Sequence, residues 1–314
     1  MKKLKLNLPI LWLSVIFALV LVASVIIACV FGFNTSVEMS GGNRLRINLT
    51  NANNISYVKK QAEAVYSSNG ICIENSYVED YRGESYLVLI SRKNDNVNYN
   101  ELRVLVSEKT ELELNQISNI EEIKTAVPSN YFVMFGISMI ILAVLAFVFG
   151  FIRYKLAGAL AITIGSFATI VAHLALINLT RVPLSYSTFV TAAIFWLIFL
   201  LLMVTILENV RTKQNSKATA DASEYDLVSD SLNDTLMPAY VVIIFTLIVG
   251  FTLICLKTNY VKYLGINAIL GLFASLFTIL FMASLYTIFL EVDNIRFKRK
   301  TSKNPNLTTN RKKR

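Results

Sequence analysis

Few residues in this sequence could carry protons through a membrane. The only histidine, His173, lies in a long apolar segment. An ionisable side chain inside a membrane span is a functional candidate because its burial there is costly, and histidine often serves in proton relays. A lone histidine among serines and threonines also commonly forms hydrogen bonds between helices. The sequence leaves both roles of His173 open, proton relay and interhelical packing.

No other set of residues indicates catalysis. A single histidine excludes a histidine cluster for metal catalysis. The three cysteines, Cys29, Cys72 and Cys255, are far apart and give neither a disulfide framework nor a metal-binding spacing. The sequence also lacks a recognisable nucleophile–base set and a phosphate-binding loop. We therefore expect a protein that is not an enzyme and that has no catalytic, cofactor-binding or metal-binding residues.

The composition indicates a protein that crosses the membrane several times. Of the 314 residues, 54% are hydrophobic, which is too apolar for an ordinary soluble domain. The net charge of +9 could suggest nucleic acid, but the basic residues are spread over loops and chain ends, as membrane topology requires. Six apolar segments are long enough to span a bilayer of roughly 30 Å. They cover about residues 8–33, 131–151, 156–179, 184–207, 239–256 and 264–290.

The first apolar segment has a second interpretation. Residues 26–29 resemble a lipoprotein cleavage site that ends at Cys29. The apolar stretch before Cys29 is longer than a secretory core of about 7–15 residues, which favours an uncleaved anchor. With either interpretation, the segment that follows lies outside the cell membrane.

Charge predicts the orientation of the chain. The cations cluster at the start of the chain, after the second and fourth spans and in the tail at 292–314. By the positive-inside rule, both termini are cytoplasmic in a cell (cytoplasmic) membrane protein, and residues 34–128 are extracytoplasmic. The predicted parts are 1–33 (N-terminus and first span), 34–128 (external domain), 129–207 (spans two to four), 208–238 (cytoplasmic connector), 239–291 (spans five and six) and 292–314 (basic tail). The tail could also contact anionic lipid headgroups.

Residues 34–128 are predicted to form a small external α+β domain. Strand patterns occur at 45–49, 71–78, 86–91 and 112–123, and helical spacing occurs at 52–67 and 99–108. This βαββαβ order is the split βαβ, or ferredoxin-like, arrangement. The acidic residues of the domain form either a solvated face or a surface that holds a client chain.

Two short segments connect the domains. Between the first span and the external domain, Glu38 is followed by the adjacent glycines Gly41 and Gly42, which accept conformations that other residues disfavour. This segment is either an ordinary tight turn or a hinge, with Pro128 at the other connection. In the cytoplasmic connector, Asn233, Asp234 and Thr235 precede the fifth span, and an Asn or Asp before a helix commonly caps it.

The plan of one span, a small external domain and five further spans resembles the SecF subunit of the bacterial Sec protein translocase, in the SecD/SecF family of the resistance-nodulation-division (RND) superfamily. The family's acid-x-x-Gly-Gly motif matches Glu38, Gly41 and Gly42, with Glu in place of the usual Asp. Residues 126–128, which end at Pro128, resemble the family's Val-Gly-Pro before span two, and 153–154 its Arg-Phe after that span. Residues 208–211 resemble its Asp-Arg-Ile-Arg after span four, in which Glu208 and Arg211 are the charged positions. Asn233 and Thr235 match its Asn-x-Thr-Leu motif.

The sequence also departs from this family pattern. Leu174 follows His173 where the family has His-Asp, and 197–203 is apolar where the family has Gly-Tyr-Ser-x-Asn-Asp-Thr. Pro238 stands in place of the Arg before span five. These are the family positions associated with proton coupling. His173 is therefore the remaining proton-relay candidate in this chain, unless a partner provides the coupling or the coupling has been lost.

The resemblance implies a function in protein export. It implies four partners, which are a SecD-like subunit, a SecYEG-type channel, the emerging unfolded preprotein and the lipid bilayer. It also implies a link to the proton motive force and no nucleic-acid partner. Two alternatives remain: an RND-type exporter of small molecules or lipids, and a degenerate structural subunit without proton coupling. An exporter would need a substrate cavity lined with converging charged or aromatic groups near the bilayer midplane, which the sequence does not indicate.

Overall fold

The computed structural model describes residues 10–50, 54–81, 83–94, 97–125, 130–215, 223–256 and 259–303. Pro128, the predicted second connection, lies outside these residues, as do the first nine residues and the end of the basic tail. Within the described chain, five helices are long and apolar enough to cross a membrane. They accompany one small antiparallel sheet.

The first long helix is α1 (Ile10–Phe31), whose 22 residues span about 33 Å at 1.5 Å per residue. A single helical turn, α2 (Val37–Ser40), follows it. The sheet elements come next along the chain. They are β1 (Gly42–Asn48), α3 (Ile55–Ser68), β2 (Ile73–Tyr81), β3 (Glu84–Arg92), α4 (Tyr99–Thr110) and β4 (Glu121–Ile123).

The elements from α2 to β4 form a unit that we call the sheet domain. Its strands lie in the order β2-β3-β1-β4, and every neighbouring pair is antiparallel. Leu45 and Ile47 alternate along β1 and are fully buried, as period-two patterning requires, and they pack with apolar residues of α3 and α4. The element order is the predicted one. The last strand is shorter than predicted, because Leu114–Gln116 form a 3-10 turn with a capping box.

The second half of the chain forms helices α5 (Tyr131–Thr180), α6 (Tyr186–Gln214), α7 (Glu224–Cys255) and α8 (Asn259–Lys303). With α1 they make up the bundle. The predicted second and third spans both fall within α5, which is interrupted at Lys155 by non-helical backbone (φ 61°, ψ −163°). The chain folds back there: a Cβ added at Gly150 would lie 2.9 Å from the Cα of Ala159. The two halves of α5 therefore pack against each other.

Helix α7 begins earlier than the sequence suggested. Its N-cap is Ser223, whose side chain accepts a hydrogen bond from the Asp226 amide, and Pro238 lies within the helix. The prediction that Asn233 or Asp234 caps a helix that starts at the membrane is therefore wrong. Both residues are in the interior of α7, which extends well beyond the predicted span.

The bundle packs around large side chains of α6. Phe199, Met203 and Ile206 are fully buried there, against Ile162 of α5 and Ile279 of α8. Gly165 makes this contact close, since a Cβ added to it would lie 2.1 Å from the Phe199 ring. In a membrane, helices associate through such close packing, because lipid tails are as apolar as the side chains.

Candidate functional site

The acid-x-x-Gly-Gly segment, whose two glycines are buried, connects α1 to the sheet. Gly41 has φ 75° and ψ 172°, a backbone region that is essentially restricted to glycine. Gly42 begins β1, and a Cβ there would lie 2.3 Å from the Ser91 carbonyl oxygen and 2.8 Å from a methyl carbon of Val37. Both glycines are therefore required by local geometry. Whether the segment also moves as a hinge stays a prediction.

The chain leading into this segment is bound to the loop between α5 and α6. Thr35 pairs with Leu184 in a parallel bridge. The Ser36 amide donates to the Leu184 carbonyl at 2.8 Å, and the Leu184 amide donates to the Asn34 carbonyl at 2.7 Å. Arg181 adds a donor to the Gly32 carbonyl at 2.6 Å. We call this set of contacts the clasp; it attaches the sheet domain to the bundle through backbone atoms.

Glu74 links the sheet domain to the same place. It lies at a register shift of β2 between Ile73 and Asn75, and such a bulge re-aims a side chain. Its carboxylate accepts the Val37 amide at 2.6 Å and lies 3.9 Å from the Arg92 guanidinium. Burial raises the pKa of Glu74 above its ordinary value, partly opposed by the Val37 amide and Arg92. Arg92 also donates to the Asn34 side chain, which belongs to the clasp region.

A cavity of about 210 Å³ lies where the sheet domain meets the bundle. Its lining includes Glu38 and Glu74 from the sheet domain and Ser185, Pro183 and Tyr263 from the bundle. We call it the junction cavity. It places Glu38, the acid of the predicted motif, beside a second carboxylate that the sequence analysis did not single out.

His173 lies deeper in the bundle and is fully buried. Its ring contacts Phe195 edge-on, with centroids 6.3 Å apart, and lies next to the main chain of Asn267. Among the described residues, neither ring nitrogen makes a hydrogen bond of full geometry, although the ring lies beside the Asn267 backbone. Asn267 is also fully buried and donates to the Thr188 hydroxyl at 3.1 Å. Helices α5, α6 and α8 thus bring His173, Thr188 and Asn267 into one polar region.

The connector motif residues meet at the end of the bundle away from the sheet domain, which we call the far end. Glu208 accepts two hydrogen bonds from Arg153, at 3.0 and 3.3 Å, and lies 3.7 Å from Arg211. Asn209 donates to the Thr235 hydroxyl at 3.1 Å, which joins α6 to α7. These contacts link three segments, 153–154, 208–211 and 233–235, that the sequence alone related only by resemblance.

Asn233 takes part in interactions of its own within the described chain. It lies two residues before Thr235 in α7. Thr235 is one member of the pair that joins α6 to α7, so the predicted motif at 233–235 reaches a helix contact inside α7 rather than a helix end.

Known structures resemble this arrangement throughout the chain. A crystal structure of SecDF in a super-membrane-facing form matches 96% of the chain with a TM-score of 0.72 and 15% sequence identity. A crystal structure of SecDF, a translocon-associated membrane protein, from Thermus thermophilus matches 90% with a TM-score of 0.61 and 14% identity. The chain spans only about 40% of the length of these proteins. No protein-family model and no curated protein sequence matches it. At these identities the likeness shows the fold, which is that of SecD/SecF proteins in a multi-pass membrane protein.

The sequence analysis missed the residues that hold the site together. Glu74, Arg181 and Asn267 are not among the residues that the sequence singled out. A signal for Asn267 exists, because an amide in the middle of a span requires a partner. For Glu74 and Arg181 no local pattern exists, since each acts on residues distant in sequence.

Proposed function

We propose that this chain is a SecF-like accessory subunit of the Sec translocase, which assists the export of preproteins across the cytoplasmic membrane. The observation that carries the proposal is the match of 96% of this chain, which includes both its sheet domain and its helical bundle, to a structure of SecDF. The sheet domain would have the ferredoxin-like arrangement, which its antiparallel β2-β3-β1-β4 order supports.

The proposed topology has six spans, with α5 crossing the membrane twice. Its 50 residues would extend about 75 Å if straight, against a bilayer core of about 30 Å. The break at Lys155 and the contact of Gly150 with Ala159 support a hairpin. Both termini would then be cytoplasmic and the sheet domain external, in agreement with the distribution of positive charge.

The proposed partners are a SecD-like subunit, the SecYEG-type channel and the emerging preprotein. The SecDF structures extend well beyond the region matched by this chain, and the SecD-like partner would provide that region. Movement of the sheet domain relative to the bundle would help to draw the preprotein outward. The connections that would have to accommodate it are the segment from Glu38 to Gly42 and the region of Pro128.

A structural subunit without proton coupling is the second candidate. Residues 197–203, where the SecF family has a polar motif, contribute Phe199 and Met203 to the packed core of the bundle. Both side chains are fully buried, which leaves no room for the family's titrating groups at that level. In this case the chain would hold the complex together, and proton coupling would reside in the partner.

Affinity purification from membranes in mild detergent, with identification of the associated proteins, tests the Sec assignment. Co-purification of a SecD-like protein and the channel is the expected result. Purification of the chain alone, together with substrate-stimulated transport after reconstitution, would instead support an exporter of small molecules or lipids.

The His173→Leu variant separates the two Sec candidates. If His173 relays protons, export driven by the proton motive force falls in this variant while the complex still forms. Thr246→Val is the matched control, because the Thr246 hydroxyl is exposed and bonds only to Val242 of its own helix. Unchanged force-dependent export in His173→Leu would favour the structural subunit.

A further inference from the structure

We propose that the junction cavity binds the headgroup of phosphatidylethanolamine, a lipid that carries an ammonium group and a phosphate close together. Glu38 accepts hydrogen bonds from the ammonium, and Ser36, Arg44 and Lys124 donate to the phosphate. The site is built from residues of the cavity and does not depend on the Sec assignment. It is carried by unpaired polar groups, by charges of both signs and by the level of the cavity in the bundle.

The first observation is a pair of buried donors that have no partner. Ser36 is only 2% exposed, and its hydroxyl makes no hydrogen bond with another described residue. The Nε–H of Arg44 is buried and unpaired in the same way. Both residues line the junction cavity. Buried polar groups in native proteins are nearly always hydrogen-bonded, so two such donors at one cavity indicate a bound acceptor.

The cavity carries charges of both signs. Glu38 and Glu74 line it together with Arg44 and Lys124. Glu74 is already bonded within the protein. Glu38 is different, because it makes no hydrogen bond or ion pair with another described residue. A ligand for this cavity therefore needs a positive group for Glu38 and a negative group for the two cations.

Other small ligands fit this arrangement less well. Within the described chain, no three His, Cys, Asp or Glu side chains come together as a metal site would require. Arg44 and Lys124 would also repel a metal ion, and Glu38 would repel a simple anion. Burial is the main cause of the raised pKa of Glu74, and the negative charge of Glu38 adds to it. The two carboxylates are thus close enough for one ammonium group to interact with both.

The size and the walls of the cavity suit a headgroup. Its volume of about 210 Å³ would hold roughly seven molecules of liquid water at about 30 Å³ each, which is much more than a single ion needs. Its apolar lining consists mainly of Val37, Ile90, Ile123 and Pro183. Such walls can pack against the carbon atoms of ethanolamine and glycerol while the polar side chains bind the two charged groups.

The cavity lies at the level where the helices of the bundle end. Pro183 and Ser185 directly precede α6, and Tyr263 lies in the first turns of α8. Tyr131 and Tyr186, at the starts of α5 and α6, have ring centroids 5.3 Å apart. Tyrosine is enriched where membrane spans meet the headgroup layer. Lipid headgroups are therefore the zwitterions that are concentrated at this level.

A headgroup in this position would join the two parts of the chain. Glu38 and Arg44 belong to the sheet domain, whereas Ser185 and Tyr263 belong to the bundle, and all four line the cavity. The bound lipid would thus supplement the clasp, which joins the same two parts through backbone hydrogen bonds.

Native mass spectrometry of the full-length protein in detergent tests the lipid preference. The protein is titrated separately with phosphatidylethanolamine, phosphatidylglycerol and phosphatidylcholine. We expect one molecule of phosphatidylethanolamine to bind several-fold more tightly than either other lipid. The reason is that glycerol has no positive charge and that choline has no N–H, whereas an ammonium group has three donors. Equal affinities for the three lipids would overturn the proposal.

Matched variants locate the ammonium site. Glu38→Gln keeps the shape of the side chain and removes its charge, so we expect phosphatidylethanolamine to bind about 10-fold more weakly or worse. Glu108→Gln removes the same charge from an exposed position of α4 that does not line the cavity, and the affinity should not change. Equal affinity in the two variants would overturn the site. A circular dichroism spectrum and a thermal melt of each variant exclude loss of fold as the cause.

A second pair of variants tests the phosphate site. Lys124→Gln should weaken the binding of all three lipids, because all of them carry the phosphate. Lys109→Gln removes an exposed cation at the end of α4, away from the cavity, and should have no effect. Since Lys124 is exposed, its loss leaves the core intact. Unchanged binding in Lys124→Gln would overturn the assignment of the phosphate to this cavity.

Soluble phosphoethanolamine separates the lipid from a free metabolite of the same chemistry. We expect it to displace the lipid only in large excess, because it lacks the chains that hold a lipid at this level. Displacement at concentrations equal to that of the lipid would overturn the lipid as the occupant. These measurements need neither partner nor transport. A specific lipid site in a protein that does not associate with the Sec channel would therefore refute the Sec function and leave the site supported.

Discussion

Gly42 offers the sharpest test of the connection between α1 and the sheet. In Gly42→Ala, the new methyl carbon would lie 2.3 Å from the Ser91 carbonyl oxygen and 2.8 and 3.0 Å from the two methyl carbons of Val37. The carbonyl belongs to β3, which is hydrogen-bonded to strands on both sides, so it cannot rotate away as a side chain would. Overpacking of this kind costs about 1–3 kcal/mol. The overpacking therefore destabilises the pairing of β1 with β3.

Hydrogen exchange of the full-length protein, followed by mass spectrometry, measures this cost locally. A loss of about 1–3 kcal/mol should speed exchange of the β1 and β3 amides about 5- to 150-fold, since 1.4 kcal/mol corresponds to a factor of ten. Gly136→Ala is the control, because the space around Gly136 in α5 is open. If β1 and β3 exchange equally fast in both variants and in the unsubstituted protein, the close approach at Gly42 is not a constraint and the reasoning fails.

Three further predictions concern Gly165, Arg153 and Glu74. Gly165→Ala should lower the free energy of unfolding of the detergent-solubilised protein by about 1–3 kcal/mol, and differential scanning calorimetry should show a lower melting temperature. Gly136→Ala should leave the melting temperature unchanged. Arg153→Gln should leave the melting temperature nearly unchanged in the same assay, because Arg153 and its partner Glu208 are both substantially exposed. A clear fall in the melting temperature would mean that the pair is desolvated in the membrane. Burial raises the pKa of Glu74, so the folded protein binds a proton there more readily than the unfolded chain does. Glu74 therefore favours folding less as the pH rises from the ordinary carboxyl range through the raised pKa. Protection of the α2 and β2 amides should decline over that range in the unsubstituted protein and stay flat in Glu74→Gln, and the same decline in both proteins would assign the effect to another group.

The sequence predicts those elements whose own residues form a recognisable hydrophobic pattern. Apolar runs indicated the helices of the bundle, and the alternation of Leu45 and Ile47 indicated β1. The early start of α7 was missed because its first turns are polar and resemble a loop. Its signal lies in the spacing of Leu227, Val228, Ser231 and Thr235, which are buried along one face of the helix.

The site depends on distant contacts that no local pattern encodes. Glu74 reaches Val37 because a bulge in β2 turns its side chain, and the position of the bulge depends on pairing with β3. The clasp joins backbone atoms of Asn34 and Ser36 to Leu184, and backbone groups have the same chemistry in every residue. Such contacts become visible only when the fold brings the segments together.

The clasp also constrains the order in which the protein assembles. Asn34 and Arg181 are in contact yet 147 residues apart in the chain. The last strand ends at Ile123, so 58 residues (181 − 123) separate the complete set of strands from Arg181, which takes roughly 3–12 s at synthesis rates of about 5–20 residues per second. The sheet domain has all of its strands long before its docking site on the bundle exists. During that interval the backbone of residues 34–36 lacks its partner at Leu184 and is open to chaperones, to proteases and to incorrect strand pairing.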